Sequence, residues 1–432
     1  MAMALSTLVL ASAGGGSSGF GRGGGGGGLG GGGFGGSGYG GGAVGGAGLV
    51  LFMVIWGLVL VAIFYALLSS TRTRRRKRKR LERVHLAAAE AAEDDAAFAS
   101  DRVTAEAAGL FRSIQDAWNA GDGRRLRELV GPDLLAEWER RLDDFAGRGW
   151  QNRVRVIDGP AVEYVGLVNR ADDADDRVVV HVTAVLDDYV ETSSGGIVMR
   201  SGEQSPRTRL AEYWTLSKRD GRWALLSVEQ DREGAHNLQD EIVASPWADS
   251  RLRDESLVEQ AVADRALDGF SPGELADVDF EGDARAAALD LSLADARFAP
   301  DVLEAAARQA VAAWAEAVDG ADSALARVAA PAAIDALLYG GDSARRTRLV
   351  VRGARLEHVR IERLDAAATP PRMTNAVEVR GRRYREDRDT AAVVSGSKDA
   401  ERRFTERWTL ALDGPADAPW RVVDAGGAPA GV

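Results

Sequence analysis

Residues 212–230 read EYWTLSKRDGRWALLSVEQ. Apolar residues alternate on both sides of Asp220-Gly221, a dipeptide that tolerates the positive φ angles of a two-residue hairpin turn. Two antiparallel strands, 207–218 and 222–230, are therefore expected. The same text returns near the other end of the chain, where Glu406-Arg-Trp-Thr-Leu410 and then Trp420 answer Glu212-Tyr-Trp-Thr-Leu216 and then Trp223. Upstream, Ala117-Trp118 answers Ala313-Trp314, and Leu129-Val-Gly-Pro132 answers Val328-Ala-Ala-Pro331. Trp118 to Trp214 is 96 residues and Trp314 to Trp408 is 94. Matching patterns at matching spacing mark an internal duplication. The chain reads as two copies of one α+β domain, 100–247 and 300–432 (the pattern itself ending near 426), joined by a helical linker 248–299.

Within the first copy, Ser100-Asp101 offers an N-cap before an amphipathic helix over 102–119, with Val103, Ala107, Leu110, Ile114 and Trp118 at helical spacing. A helix over 123–144 is interrupted near Gly131-Pro132. The period then changes to two, giving strands 151–157, 161–169 and 177–190 ahead of the hairpin. In the linker, Ser250–Leu267 reads as a helix, whereas Asp283–Arg297 fits neither period.

Three segments of different physics precede the first copy. Residues 2–13 are apolar and end in Ala11-Ser12-Ala13, a pattern like a signal-peptide cleavage site, but without the positive n-region. Residues 14–48 hold 24 of the 51 glycines; with little apolar surface to offset the ordering entropy, they are expected to be disordered. Leu49–Leu68 is twenty residues without a charge, about 30 Å as a helix and so long enough to cross a bilayer. The expected span is 49–70, followed over 71–99 by a basic collar and a juxtamembrane helix. Arg72, Arg74, Arg75, Arg76, Lys77, Arg78, Lys79 and Arg80, against Arg22 alone on the other side, place the N-terminus outside and the domains in the cytoplasm. These cations suit anionic lipid headgroups.

The chain has 432 residues, 54 of them basic and 65 acidic, for a net charge of −11. Residues 1–80 contain no acid, so the body is more acidic than the total and repels nucleic acid. Lysine is confined to Lys77, Lys79, Lys218 and Lys398, an arginine bias that suggests a GC-rich bacterial genome. Cysteine is absent, which removes disulfides, thiolate metal sites and a cysteine nucleophile. The four histidines (His85, His181, His236, His358) lie far apart with no HExxH spacing, so neither a metal nor a cofactor is expected.

Trp118, Tyr164, Glu212 and Trp214 in the first copy, with Trp314, Glu406 and Trp408 as their equivalents in the second, mark a pocket site: an open apolar cavity there would favour a small-molecule role, a filled one a scaffold. Leu210, Glu212, Trp214 and Leu216 share a face, which puts a carboxylate into an apolar row. Burial would raise its pKa and make it a candidate base; an arginine partner would make it structural. Recurrence in both copies favours the structural pair. On strand 177–190 the alternation Val178, Val180, Val182, Ala184, Leu186 forms the core face, so His181 and Asp187 point away from it. No second polar group converges with either glutamate, and no catalytic residue is assigned.

AWNAGDGRRLRELVGPDLL at 117–135, followed by the 212–230 hairpin, is similar to the family of the mitochondrial import inner-membrane translocase subunit 44. Helices followed by a long antiparallel meander resemble the nuclear-transport-factor-2-like cone. Bacterial relatives share the layout of apolar start, Gly-rich segment, membrane span and cone. The resemblance covers the first copy well and the second more weakly, where the hairpin loop Asp413–Pro419 is longer. Together with the internal repeat and the charge-free stretch, it gives an expectation of two cone-shaped domains, each a curved antiparallel sheet around a helix, behind a single transmembrane helix. It also implies a scaffold: the mitochondrial member tethers a chaperone to a protein-conducting channel, and a related ribosomal protein docks at the inner membrane. A transmembrane helix and two domain copies depart from that pattern, so chaperone tethering does not transfer. The expectation is a single-pass, membrane-anchored cytoplasmic scaffold that engages protein or peptide partners. The alternative is a small-molecule sensor or an enzyme that uses the cone pocket.

Overall fold

In the computed structural model the described residues are 13–15, 20, 56, 77–200, 203–248, 256–258, 279–320, 322–415 and 418–426. They build two antiparallel sheets, each preceded by helices in the same order. The first unit opens with α1, over 77–94, and a 3₁₀ turn Ala96–Phe98. Helices α2 (Ser100–Ala120), α3 (Gly123–Leu129) and α4 (Pro132–Gly147) follow. Its strands are β1 (Trp150–Val168), β2 (Arg177–Thr192), β3 (Ile197–Val198), β4 (Arg207–Arg219) and β5 (Arg222–Gln230), in the order β1-β2-β4-β5 with β3 on β2.

Local chemistry accounts for these elements. Helix α2 buries Val103, Ala107, Leu110, Phe111, Ile114 and Trp118 on one stripe, and Gly121 ends it in the left-handed conformation at φ 66°. The Asp122 side chain then accepts from the Arg125 N–H and caps α3. Pro132 starts α4 where its missing N–H is harmless. The α2 stripe meets Val178, Val180, Val182, Leu186, Leu210 and Trp214 in one core. Each large apolar side chain buried there contributes about 1.5–3 kcal/mol. Asp220 and Gly221, at φ 51° and 71°, close the β4–β5 hairpin as the sequence indicates.

Two local readings change. The expected strands 151–157 and 161–169 are one strand, β1, which pairs with β2 along its whole length. Gly159-Pro160 lies where register shifts fall between Val156 and Ala161, so the strand bends without ending. Ser100 lies inside α2; the N-cap is Ala99, without a side-chain bond. Asp95 does the capping one step earlier, at the 3₁₀ turn.

The second unit comprises β6 (Asp279–Phe280), α5 (Ala284–Ser292), a 3₁₀ turn Ala296–Phe298, α6 (Pro300–Asp319), α7 (Asp322–Val328) and α8 (Pro331–Tyr339). Its main strands are β7 (Thr347–Asp365), β8 (Arg372–Asp387), β9 (Val393–Gly396), β10 (Arg402–Leu412) and β11 (Trp420–Gly426). The order is β11-β10-β8-β7-β6, with β9 on β8. Val130 bridges Leu225 in the first unit and Ala329 bridges Val422 in the second, both parallel. Residues 279–298, placed in the linker from sequence, belong to this unit: β6 pairs with β7, and Ala284 and Ala288 enter its core. The undecided stretch 283–297 is mostly helix α5, its alanine-rich text having too little contrast to show a period.

Among the described residues no helix is long and apolar enough to cross a membrane. The expected span Leu49–Leu68 lies outside the described residues apart from Trp56, as do residues 72–76 of the collar. Of the expected helix at 250–267 only 256–258 are described, and they are helical.

Candidate functional site

The residues singled out from sequence lie in the two cores. Trp118, Tyr164, Glu212 and Trp214 are all buried in the first. The Trp214 indole N–H donates to Glu212 Oε2 at 2.9 Å. Trp118 donates to Asn152 Oδ1 at 2.8 Å, Asn152 donates to Asp188 at 2.8 Å, and Arg200 pairs with Asp188 at 2.5 Å. In the second core Trp314 and Trp408 meet edge to face at 5.6 Å. Glu406 is buried and paired with Arg383 at 2.9 Å; burial pushes its carboxyl up and Arg383 pulls it back. His181 does lie on the face away from the core. There it is covered by Lys77, Glu163 (3.2 Å) and Asp231 (2.9 Å) and stacked on Tyr213.

The collar also divides. Arg80 is buried, donating to the carbonyls of Val165 at 2.8 Å and Asp240 at 2.5 Å, and Lys77 pairs with Glu163 at 2.5 Å. These two cations fasten α1 to the first sheet, while Arg78 and Lys79 stay exposed. Arg80 is therefore unavailable to a lipid headgroup, because its guanidinium completes backbone acceptors that would otherwise be buried unpaired.

The main concentration of buried charge is between the two units, and the sequence reading did not find it. Helix α4 presents Glu137, Trp138 and Arg141 to β7 and β8. Arg388 reaches Glu137 at 2.7 Å, Arg348 reaches it at 3.4 Å and Asp322 at 2.5 Å, and Arg141 pairs with Glu386 at 2.7 Å. Glu137, Arg141, Arg348, Glu386 and Arg388, with Trp138, line a cavity of about 90 Å³. Beside it, Glu229 of β5 is fully enclosed by His236, Asn237 and Arg352. Burial opposes its charge, but those partners outweigh it and bring its pKa down to about 2. His236 is likewise buried, and Glu229 with Asp240 holds it protonated well above its usual range. A second junction cavity, of about 290 Å³, has Arg80 in its lining. The only sequence signal for this site is the surplus of arginine, which says nothing about position.

The N-terminal residues described touch this region too. The Ala13 N–H donates to Gln115 Oε1 at 2.9 Å, and Arg141 donates to the Gly14 carbonyl. Phe20 packs edge-on against Phe145 at 6.1 Å, lies under the Arg200 guanidinium at 5.2 Å, and forms an antiparallel bridge with Arg200. Elsewhere Asp95, Asp173 and Asp176 converge closely enough to hold a cation. The Lys218 ammonium already stands among them, so the chain supplies its own countercharge.

Fold and site together define an α+β protein of two fused units whose charged, concave surface is at their junction. Residues 84–230 form a Tim44-like domain. Such a domain suggests a scaffold or binding role associated with a membrane, and it names no partner. No curated protein matches the chain. Among solved structures, the intermembrane space region of the chloroplast protein ARC6 is similar at 11% identity, covering 29% of this chain and 95% of that one, with a TM-score of 0.24. An Ntf2-like protein involved in plasmid conjugation is similar at 8% identity over 74% of this chain and 88% of that one, with a TM-score of 0.17. At such scores neither likeness speaks to this chain's function.

Proposed function

We propose that the protein is a single-pass membrane scaffold whose two cone-shaped units lie on the cytoplasmic side and bind protein or peptide partners. The observation that carries this is the Tim44-like domain at 84–230, tied to the basic run by the α1 residues Lys77 and Arg80. The first unit then sits within a few residues of the charge-free stretch Leu49–Leu68, with Lys79 and Arg78, the latter paired with Glu82 on the surface, exposed toward anionic headgroups. Alkaline extraction of native membranes tests it. The full chain should stay in the pellet and a chain lacking 49–68 should be released. Protease added to intact spheroplasts should clip only the N-terminal tail. Release of the full chain, or digestion beyond residue 81, would overturn the reading.

A small-molecule role has one observation in its favour. In the second core the Trp314 and Trp408 indole N–H groups and both polar atoms of Asn375 are buried without partners. A ligand with acceptors for the three N–H groups and a donor for Asn375 Oδ1 would satisfy them. A thermal shift on adding small polar metabolites, abolished by Asn375→Val, would support this reading over the scaffold.

A further inference from the structure

The groove on the first unit formed by α2, α4 and the edge beyond β3 has the makings of a peptide site, and four contacts specify what it takes. Gln115 accepts from a backbone N–H at the Ala13 position. Arg141 donates to the carbonyl of the next residue, Gly14. That residue has φ +89°, and a Cβ there would collide with the Trp138 indole, so glycine alone fits. Six positions on, Phe20 fills the space between Phe145 and the Arg200 guanidinium and adds an antiparallel bridge to the sheet edge. A further polar atom, Gln115 Nε2, is buried in the same place without a partner.

We propose that this groove docks an extended segment of a partner protein that carries a glycine and an aromatic residue six positions after it. The proposal rests on the scaffold reading above and names the kind of partner. With Leu49–Leu68 across a bilayer, Ala13 and Phe20 lie on the opposite side from Gln115 and Phe145. The groove is then vacant, and its occupant comes from another chain. Among the described residues the second unit has no equivalent. Aligning Pro331 with Pro132 puts Leu337 at the place of Trp138 and Gly340 at that of Arg141, and α8 ends at Tyr339. One peptide per chain is expected.

The probe is a fluorescent peptide of residues 11–22, ASAGGGSSGFGR, titrated onto the detergent-solubilised full chain carrying Gly14→Val and Phe20→Ala in its own tail. Those substitutions empty the groove whatever the topology. The peptide should bind with a stoichiometry of one. Gly14→Val or Phe20→Ala in the peptide should weaken binding by roughly tenfold or more, as for the loss of a buried anchor. No binding, or equal binding by all three peptides, would overturn the proposal. The unmodified chain in liposomes separates this outcome from the topology. Binding as tight as to the double variant places the tail across the membrane. Binding about tenfold weaker means that the tail fills the groove in cis; single-span topology then fails, and with it the vacancy that a partner segment was proposed to fill.

Discussion

The two units keep the same closing device and differ in what they do with polar groups. In the first, Trp223 meets Phe98 edge to face at 5.4 Å and donates to the Ala97 carbonyl at 3.0 Å; in the second, Trp420 meets Phe298 edge to face at 5.6 Å and donates to the Arg297 carbonyl at 3.0 Å. That contact locks the last hairpin onto the turn before the long helix, and the duplication preserves it. The core indoles diverge. Trp118 and Trp214 have acceptors, whereas Trp314 and Trp408 have none. Trp214 faces Val180 across the sheet, while its counterpart Trp408 faces Asn375. Helix α4 runs 16 residues and α8 only 9; the longer α4 carries Glu137 and Arg141 into the junction. A duplicated unit thus retains its packing, while charge and hydrogen bonding are free to specialise.

The largest effect is expected where the units meet. Glu137→Ala removes a shared partner of Arg348 and Arg388, both largely withdrawn from water. Breaking a buried pair in this way costs about 3–5 kcal/mol. Thermal unfolding should show a lower midpoint, and the single transition should split as the units uncouple. Glu137→Gln should fall between. An unchanged midpoint in Glu137→Ala would mean that the units are held by something other than these charges.

A reciprocal exchange tests the cores. Val180→Asn would place an unsatisfied amide against Trp214 and should destabilise by about 1–3 kcal/mol. Asn375→Val removes such a group and should stabilise the second unit by a similar or smaller amount. Chemical denaturation reads both signs. If Asn375→Val destabilises instead, the amide has a partner in solution, and the contrast between the cores is one of ligands or water.

Much of this architecture was legible because it is local. The hairpin at Asp220-Gly221, the α2 stripe and the core face of β2 follow from period and turn chemistry. The break expected between 157 and 161 is absent because Gly159-Pro160 bulges the strand without ending it. Arg80 looked like one more collar cation, yet its acceptors, Val165 and Asp240, are 85 and 160 residues away. The junction was invisible for the same reason. Glu137 and Arg348 are ordinary charges in sequence, and only the packing of α4 on β7 makes them a site.

The repeated glutamates should separate more modestly. Glu212→Ala takes the acceptor from the buried Trp214 indole, an expected loss of about 1–3 kcal/mol. Glu406→Ala frees Arg383, whose side chain is 41% exposed and can turn to water, so less than about 1 kcal/mol should be lost. Equal losses would show that both copies use the carboxylate in the same way.

The most gradual effect is the pH dependence of the His236–Glu229 pair, which belongs to the first unit but is completed by Arg352 of the second. The folded pKa of His236 lies above its unfolded value, so its contribution is complete below about 6.5 and is lost as pH rises through the folded value. Glu229 is held at about 2, below its ordinary 4.5, so its contribution is complete above 4.5 and is lost as pH falls toward 2. Stability from the pair should therefore be flat between about 4.5 and 6.5 and decline on both sides. On the alkaline side one proton limits the slope to about 1.4 kcal/mol per pH unit. Unfolding free energies measured from pH 6 to 9 should show this decline in the native chain and its absence in His236→Asn. If the decline persists unchanged in the variant, another group at the junction carries it, and the first unit is not the pH-sensitive partner.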